Sequence, residues 1–355
     1  MTRLVSLAEA GADRDEISNC YEEESYLRFL ASSEALRNFK KTFDAAGVDC
    51  VFQNCGEEGN DIGRLIKRLA RQSYLCDKFR DVVARSVFPE DVTAAREAGR
   101  HTIYMTTNGV PLPSPIYSVE NALYYITVFY QLGVRMMHLT YNRRNLIGDG
   151  CAEPADGGLS EFGRAVIVEM NRVGIIPDVA HSGFRTSLEA AQCSKKPVVA
   201  SHTVAGALSK HYRGKPDEVM REIVRTGGYM GICAIPGYYR GTGKIDSFLD
   251  HIEYVAERFG AGHVAIGTDR MAECFNPENF SKLNIPRARP IYEQFWPPAI
   301  EPFEETTGMS QSVTWTNWPL FTVGLVQRGF SDNDIRNIIG GNVMRVAQKT
   351  LEGCF

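Results

Sequence analysis

Short runs of β-branched and aromatic residues alternate with amphipathic stretches along most of this 355-residue chain. Such alternation predicts a parallel sheet, because two parallel strands need a long crossover connection, usually a helix. Seven such runs indicate a (β/α)8 TIM-like barrel, and this length is ordinary for a single barrel. The predicted strands are 51–53, 102–106, 135–139, 175–179, 197–200, 229–234 and 264–267.

The amphipathic stretches between these strands set the domain organisation. Ser160 is the expected N-cap of one helix, and Glu161 lies in its first turn, where a carboxylate suits the helix dipole. An eighth strand is expected within 1–46, where the pattern is too helical and acidic to place it. We therefore divide the chain into a partly helical N-terminal segment, 1–46, and a barrel, 47–355. The main predicted helices are 61–85, 119–131, 159–172, 217–225 and 245–259.

Two segments near the C-terminus depart from this rhythm. Residues 270–317 contain many prolines and aromatic residues, including Trp296 and Trp315, without clear periodicity. A long irregular insertion after a late strand indicates an active-site lid, an interface segment or a packed surface loop. The pattern over 330–348 predicts a helix that docks on the barrel.

Composition excludes several classes of protein. The formal charge of −4 gives no basic footprint for nucleic acid, and no apolar run is long enough to span a bilayer. The first residues lack the apolar core of a signal peptide, so export is not expected. The nine cysteines show no short paired spacing, which argues against a zinc knuckle or a disulfide framework. We expect a cytoplasmic protein.

Polar side chains follow several of the predicted strands. In (β/α)8 barrels the active site forms at the C-terminal ends of the strands. One histidine at a strand end is usually structural, but two at successive strand ends favour a shared site. His138, inside a strand, is expected to belong to the strand packing. The candidate residues at strand ends are Asn108, Tyr141, Asn142, His181, His202 and Asp269.

At these positions the sequence resembles the membrane (renal) dipeptidase family of zinc peptidases. The resemblance extends from about Val48 to the C-terminus. It implies a barrel of the metal-dependent hydrolase type, a dinuclear zinc site, hydrolysis of dipeptides with free termini and, often, a homodimer. The matching motifs are Asp178-Val-Ala-His181-Ser, Pro197-Val-Val-Ala-Ser-His202, Arg213-Gly-Lys-Pro-Asp217, Gly267-Thr-Asp269, Asp156-Gly-Gly-Leu-Ser-Glu-Phe-Gly163 and Gly341-Asn-Val-Met-Arg345.

The resemblance implies roles for four residues of this chain. His181 and His202 match the ligands of the family's second zinc. Arg213 matches the arginine that binds the substrate carboxylate. Asp269 matches the aspartate that handles the proton moving between the attacking water and the leaving amine.

Other positions depart from the family pattern. The first zinc is held by a His-x-Asp pair on the first strand, whereas residues 1–100 contain no histidine. Asn108 aligns with the glutamate that bridges the two metals, and Tyr141 with a histidine that contacts the substrate. Because an uncharged amide is a poor zinc ligand beside a carboxylate, we do not expect a dinuclear zinc site.

Two kinds of pocket remain open on this evidence. His181 and His202, with Asn108 or Asp269, could hold a single zinc. Alternatively, the pocket binds no metal, and His181, His202, Tyr141 and Asp269 act as acid–base groups.

Three functions remain open for such a pocket. The first is amide hydrolysis with one metal. The second is isomerase, epimerase or lyase chemistry without a metal. In both, the substrate is a small amino-acid-like or dipeptide-like carboxylate bound by Arg213, Asn108 and Asn142. The third is a non-catalytic binding or regulatory protein on the dipeptidase scaffold.

Overall fold

A computed structural model describes residues 33–56, 61–270, 296–298 and 300–351. Within these ranges every paired strand runs parallel to its neighbours. The strands are β1 Cys50–Asn54, β2 Val83–Ser86, β3 His101–Thr107, β4 Val134–His138, β5 Ile176–Asp178, β6 Ala200–Ala205, β7 Gly214–Lys215, β8 Met230–Ile232 and β9 Val264–Ile266.

The strands form two runs that a single bridge connects. One run has the order β1-β3-β4-β5, and the other has the order β7-β6-β8-β9. A parallel bridge between Asp178 and Val199 joins β5 to the segment that enters β6. β3 carries β1 on one edge, while β2 and then β4 occupy the other edge. Leaving out the two-residue β7, eight strands alternate with helices along the described chain, as in a (β/α)8 barrel.

The helices follow the predicted pattern closely. Ser160 caps α5 as expected, since its side chain accepts a hydrogen bond from Gly163 N. Within the described residues, no helix is long and apolar enough to cross a membrane. The helices are α1 Ser33–Ala46, α2 Ile62–Lys78, α3 Pro89–Glu97, α4 Val119–Gln131, α5 Glu161–Val173, α6 Phe184–Cys193, α7 Asp217–Thr226, α8 Pro236–Tyr239, α9 Ile245–Phe259, α10 Thr307–Ser312, α11 Trp318–Gln327, α12 Asp332–Arg336 and α13 Asn342–Leu351.

Three predictions of local structure were wrong. The helix predicted over 61–85 ends at Lys78, and β2 follows as the eighth strand. No strand lies in 33–46, which form α1, and residues 1–32 lie outside the described residues. The strand predicted over 197–200 begins at its last residue, so His202 lies inside β6 rather than after it.

The C-terminal segment closes one end of the barrel. Val346 of α13 packs in one cluster with Ile176, Val199 and Tyr229, which lie at or just before the starts of β5, β6 and β8. The predicted single helix over 330–348 is divided into α12, a π-helical stretch Asn337–Gly341 and α13, because the backbone at Gly340 is not helical. The opposite end of the barrel is thereby left for the site.

Part of the irregular insertion packs against α1, and there Trp315 Nε1 also donates a hydrogen bond to Arg270 O, at 3.1 Å. The Trp315 ring lies 5.1 Å from that of Phe43 in α1, and the Phe43 ring lies 5.0 Å from that of His101. This part of the insertion is therefore a packed layer over α1. Trp296 lies elsewhere, as described below, and the predicted lid residues 271–295 lie outside the described residues.

Two glycines bring β6 into close contact with its neighbours. A β-carbon on Gly231 of β8, or on Gly267 just after β9, would overlap the carbonyl oxygen of Ser201. Because this obstacle is backbone, it cannot rotate away as a side chain could. The two glycines therefore fix the position of the backbone that carries His202.

Gly267→Ala should consequently lower the free energy of unfolding by about 1–3 kcal/mol, the usual cost of inserting a carbon into a filled core. Gly262→Ala is the matched control, since a β-carbon there meets nothing within 4 Å. Urea unfolding of both variants beside the parent measures the difference. Equal stability of the two variants would show that the strands can separate without cost.

Candidate active site

Three buried histidines on adjacent strands lie close together. His138 ends β4, His181 follows β5 and His202 lies in β6. Their ring centroids are 5.0 Å (His138–His181), 5.2 Å (His138–His202) and 5.0 Å (His181–His202) apart. The Nε2 atoms of His181 and His202 are separated by only 3.0 Å. The structure thus brings the two predicted histidines together and adds a third that the sequence analysis assigned to strand packing.

The carboxylate of Asp178 lies beside these rings. Its Oδ2 is 2.8 Å from His138 Nε2 and accepts a hydrogen bond from the Ser201 hydroxyl. Its Oδ1 accepts from the backbone amides of Ala180 and Ser201, at 2.9 and 3.0 Å. Burial alone would raise the pKa of Asp178, but the charge and hydrogen bond of His138, with His202 and Ser201, hold it well below its usual value. Asp178 is therefore an anion.

The hydrogen-bond partners fix the tautomers of two histidines. The Ser201 hydroxyl donates to Asp178, so its oxygen accepts from His202 Nδ1, 2.7 Å away. His181 Nδ1 lies 2.7 Å from Asn142 Oδ1, which is an acceptor only. Both imidazoles therefore carry their proton on Nδ1, and the lone pairs on their Nε2 atoms face each other across 3.0 Å.

These two histidines are neutral near pH 7. Burial lowers the pKa of His181 and of His202 well below 6.5, and the neighbouring charge of Arg213 lowers both further. A neutral imidazole with a free lone pair is the form that binds metal ions or acts as a general base.

Two buried cations stand beside the histidines. Arg213 donates from Nε to Ala180 O at 3.0 Å and from Nη2 to His202 O at 2.8 Å, while Nη1 finds no partner among the described residues. Lys215 donates to Ser182 O and to Ser187 Oγ, and burial lowers its pKa to about 8. Among the described residues neither cation has a carboxylate within hydrogen-bonding distance, so Arg213 Nη1 is available to an anion.

Two predicted site residues adopt left-handed backbone conformations. The φ of Asn142 is 57° and that of Asp269 is 54°. Residues other than glycine seldom occupy this region. Such conformations cluster at functional sites. The side chain of Asp269 reaches the surface, but protein atoms surround it. This burial raises its pKa, although the charges of Arg213 and His138 act in the opposite direction.

Aromatic rings surround the histidine pair. Tyr141 stacks on His181 with centroids 4.2 Å apart. The ring of Trp296 lies 6.1 to 6.2 Å from the rings of Tyr141, His181, Tyr212 and Tyr238. The part of the insertion around Trp296 therefore contributes aromatic surface to the site.

The ends of β1 and β3, where the resemblance places ligands of the first zinc, carry amides. Asn108 follows β3, and its Oδ1 accepts a hydrogen bond from Asn54, the last residue of β1. Neither side chain carries charge, so this pair supplies no anionic ligand. Among the described residues, the one group of three possible ligands that lie close together is His138, Asp178 and His202. The donor set fits one metal ion and does not fit two.

The sequence matches the membrane dipeptidase family, peptidase family M19, over residues 19–283. This chain belongs to that family. The resemblance found in the sequence is confirmed, and with it the (β/α)8 TIM-like barrel of the metal-dependent hydrolases. Family membership supports a dipeptidase-like enzyme, and the cluster around His202 supports metal binding within it.

Individual relatives agree with this assignment. The dipeptidase verJ of Clonostachys rogersoniana is 28% identical over 240 residues, 67% of this chain and 54% of its own length. The chain spans about half the length of the curated relatives it matches. A Pseudomonas aeruginosa amidohydrolase of known structure is 28% identical with a TM-score of 0.72, covering 90% of this chain and 93% of its own.

A more distant structure shows the fold alone. It is a Rhodobacter sphaeroides metallo peptidase bound to a phosphinate mimic of the dipeptide L-Ala-D-Ala. That chain is 17% identical with a TM-score of 0.68, and the match covers 92% of this chain and 96% of the other.

A fourth buried histidine near the site gives a pH prediction. Burial, with the charges of Arg213 and Arg240, lowers the pKa of His211 from 6.5 to about 3. Between these values the unfolded chain binds a proton that the folded chain does not, so stability falls as the pH decreases. The folding free energy lost through this residue approaches about 1.4 kcal/mol per pH unit.

In His211→Gln the free energy of unfolding should therefore fall less steeply with decreasing pH, between about pH 6 and 4, than it does in the parent. Urea unfolding at several pH values measures the two slopes. Parallel curves for parent and variant would contradict the assignment of a neutral buried imidazole.

Proposed function

We propose that this chain hydrolyses an amide bond in a small substrate that carries a carboxylate, with one bound metal ion rather than two. The observation that carries the proposal is the pair of facing Nε2 lone pairs on His181 and His202, 3.0 Å apart, beside the unpartnered Nη1 of Arg213. Two facing lone pairs repel each other unless a cation lies at them. A cation site and an anion site thus adjoin, as a substrate with a scissile amide and a carboxylate requires.

His181 and His202 would hold the metal ion in this proposal. When bound, the ion supplies Lewis acidity, which polarises a carbonyl and makes water a better nucleophile at neutral pH. The amide pair of Asn54 and Asn108 supports a single ion, because it leaves the first site of the family without a charged ligand. Dinuclear zinc hydrolysis of the family type is accordingly not proposed here.

The other residues bind the substrate and move protons. Arg213 would pair its free Nη1 with the substrate carboxylate, held rigidly by its two hydrogen bonds to backbone. Asp269, with its raised pKa, would accept a proton from water and pass it to the leaving amine. Asn142 orients His181, and Asn108 would line the pocket.

The aromatic rings support a substrate of amino-acid or dipeptide type with an apolar side chain. Trp296, Tyr141, Tyr212 and Tyr238 present apolar faces around the site, and such faces exclude water from an enclosed reaction. Tyr141 occupies the position of a substrate-contacting histidine in the family, so its hydroxyl would contact the substrate.

The cytoplasmic location and the homodimer stay predictions.

Elemental analysis of protein purified without added metal should find at most one metal ion per chain. Simple L,L- and L,D-dipeptides should be cleaved well below the typical enzyme turnover of about 10 per second, since one cation activates water less than two. Asn108→Glu alone should not restore dinuclear activity, because the first strand still lacks its ligands. Two tightly bound ions per chain would overturn the proposal.

A second measurement separates hydrolysis from the other readings. Stripping the metal should abolish amide cleavage, and zinc should restore it. Full activity after stripping would instead indicate metal-free acid–base chemistry. If zinc-loaded protein binds N-acyl amino acids and dipeptides without cleaving them, a binding protein on this scaffold is indicated.

The carboxylate preference is testable on the unaltered protein. A substrate whose terminal carboxylate is replaced by a carboxamide should lose at least about 2 kcal/mol of transition-state binding, roughly thirtyfold in kcat/KM, because Arg213 is left as an unpaired buried charge. Paired assays with the acid and amide forms of one substrate measure this. Equal kcat/KM values would remove Arg213 from substrate recognition.

A further inference from the structure

We infer that Asp178 and Ser201 are positioning residues, which select the one tautomer of His202 that leaves its Nε2 free to act. His202 needs this free nitrogen whether it holds a metal ion or takes up a proton. The role depends on the part that the proposed function gives to His202, but not on the identity of the substrate.

A chain of hydrogen bonds runs from His138 to His202. His138 Nε2 lies 2.8 Å from Asp178 Oδ2, and the Ser201 hydroxyl donates to the same oxygen. The Ser201 oxygen in turn lies 2.7 Å from His202 Nδ1. Asp178 and the two histidines are buried, so the protein groups themselves, rather than water, decide which atom donates in each bond.

The carboxylate sets the direction of this chain. A carboxylate ion only accepts hydrogen bonds, whereas a hydroxyl both donates and accepts. Ser201 therefore points its one hydroxyl proton at Asp178 and presents its oxygen to His202. The Nδ1 of a neutral His202 must then carry the ring proton, which leaves the lone pair on Nε2.

Asp178 is held in one orientation and has no room for a cation. Its Oδ1 accepts from the backbone amides of Ala180 and Ser201, at 2.9 and 3.0 Å, while Oδ2 accepts from His138 and from the Ser201 hydroxyl. These four donors fill the roughly four lone-pair sites of a carboxylate. By distance alone, Asp178 could share an ion with His138 and His202. Because its lone pairs are occupied, it orients His202 instead.

The choice of tautomer matters at the other side of the His202 ring. There Nε2 lies 3.0 Å from the Nε2 of His181. A proton on His202 Nε2 would point at His181 and block the lone pair of His202. A metal ion binds only an unprotonated ring nitrogen, and a general base needs the same lone pair. His202 can therefore act only while Ser201 holds the proton on Nδ1.

Asp178→Asn should reverse the chain with little change in side-chain size. Two backbone amides donate to Oδ1, so in this variant the side-chain oxygen stays at that position and the nitrogen takes the position of Oδ2. This nitrogen donates to Ser201 and to His138, whose Nε2 can accept instead of donate. Ser201 must then donate to His202 Nδ1, and the proton of His202 should move to Nε2.

Two-bond ¹⁵N–¹H correlation spectra of protein labelled at histidine distinguish the two tautomers of each ring. Near pH 7, metal-stripped parent should show His202 protonated on Nδ1, and Asp178→Asn should show it protonated on Nε2. His202→Gln identifies the signal by its absence. Asp149→Asn is the matched control, because this buried carboxylate bonds to Arg144 and to the amide of Gly157. It should leave the His202 signal unchanged.

Zinc titration of the stripped proteins gives a second readout. Asp178→Asn and Ser201→Ala should each weaken zinc binding by about 10–100-fold, the usual effect of losing a group that orients a metal ligand. Ser201→Thr keeps a hydroxyl and should retain both the parent tautomer and most of the parent affinity. Thermal unfolding identifies any variant that fails to fold, and the two Ser201 variants decide if Asp178→Asn is among them.

A parent protein with His202 protonated on Nε2, or folded Asp178→Asn with the parent tautomer, would overturn the inference. So would Ser201→Ala with the tautomer and zinc affinity of the parent. If the tautomer reverses as expected but the parent cleaves no amide, the proposed function fails and the positioning role stands. If amides are cleaved while Asp178→Asn and Ser201→Ala leave the tautomer unchanged, the reverse holds.

Discussion

The carboxylate of Asp178 ties three adjacent strands of the barrel together. It lies at the end of β5, pairs with His138 of β4, and accepts hydrogen bonds from the backbone and side chain of Ser201 in β6. A buried carboxylate is stable only when its lone pairs are filled, so loss of any one donor weakens the whole arrangement. The orientation of His202 depends on it through Ser201. The active-site geometry and the local strand pairing are thus the same set of hydrogen bonds.

The departures from the family pattern form a consistent set. At the ends of β1 and β3 the uncharged Asn54 donates a hydrogen bond to the uncharged Asn108. At the end of β4 an imidazole stands beside the carboxylate. Asn54 and Asn108 thus bring an amide–amide hydrogen bond and no charge to the β1–β3 side of the mouth.

Much of the architecture was predictable from the sequence. The periodicity located α4 and α9 at their observed bounds, because an isolated amphipathic stretch between two strands has few alternatives. β2 and β7 were missed, since runs of four and two residues give no periodic signal. The irregular insertion was recognisable, but its division between the layer over α1 and the wall of the site depends on contacts that composition does not encode.

The candidate site was predictable in part. Its strand-end histidines were found because two such residues at successive strand ends are unusual. His138 and Asp178 were not assigned to it, since each looks like an isolated polar residue in an apolar strand. Their direct pairing in the register of β4 and β5 is a property of the sheet. Polar residues at the last position of two consecutive strands are the signal that would have indicated it.

The glycines that face Ser201 have a consequence for how this scaffold changes over time. The backbone of β6 is held in place by close approach to Gly231 and Gly267, where no side chain intervenes. The strand packing therefore sets where the backbone of His202 lies, whereas Ser201 and Asp178 set how its ring is turned. Side chains on the other strands can therefore be exchanged one at a time while the backbone of β6 keeps its position. A barrel built in this way can exchange polar side chains on its other strands without moving the backbone of β6.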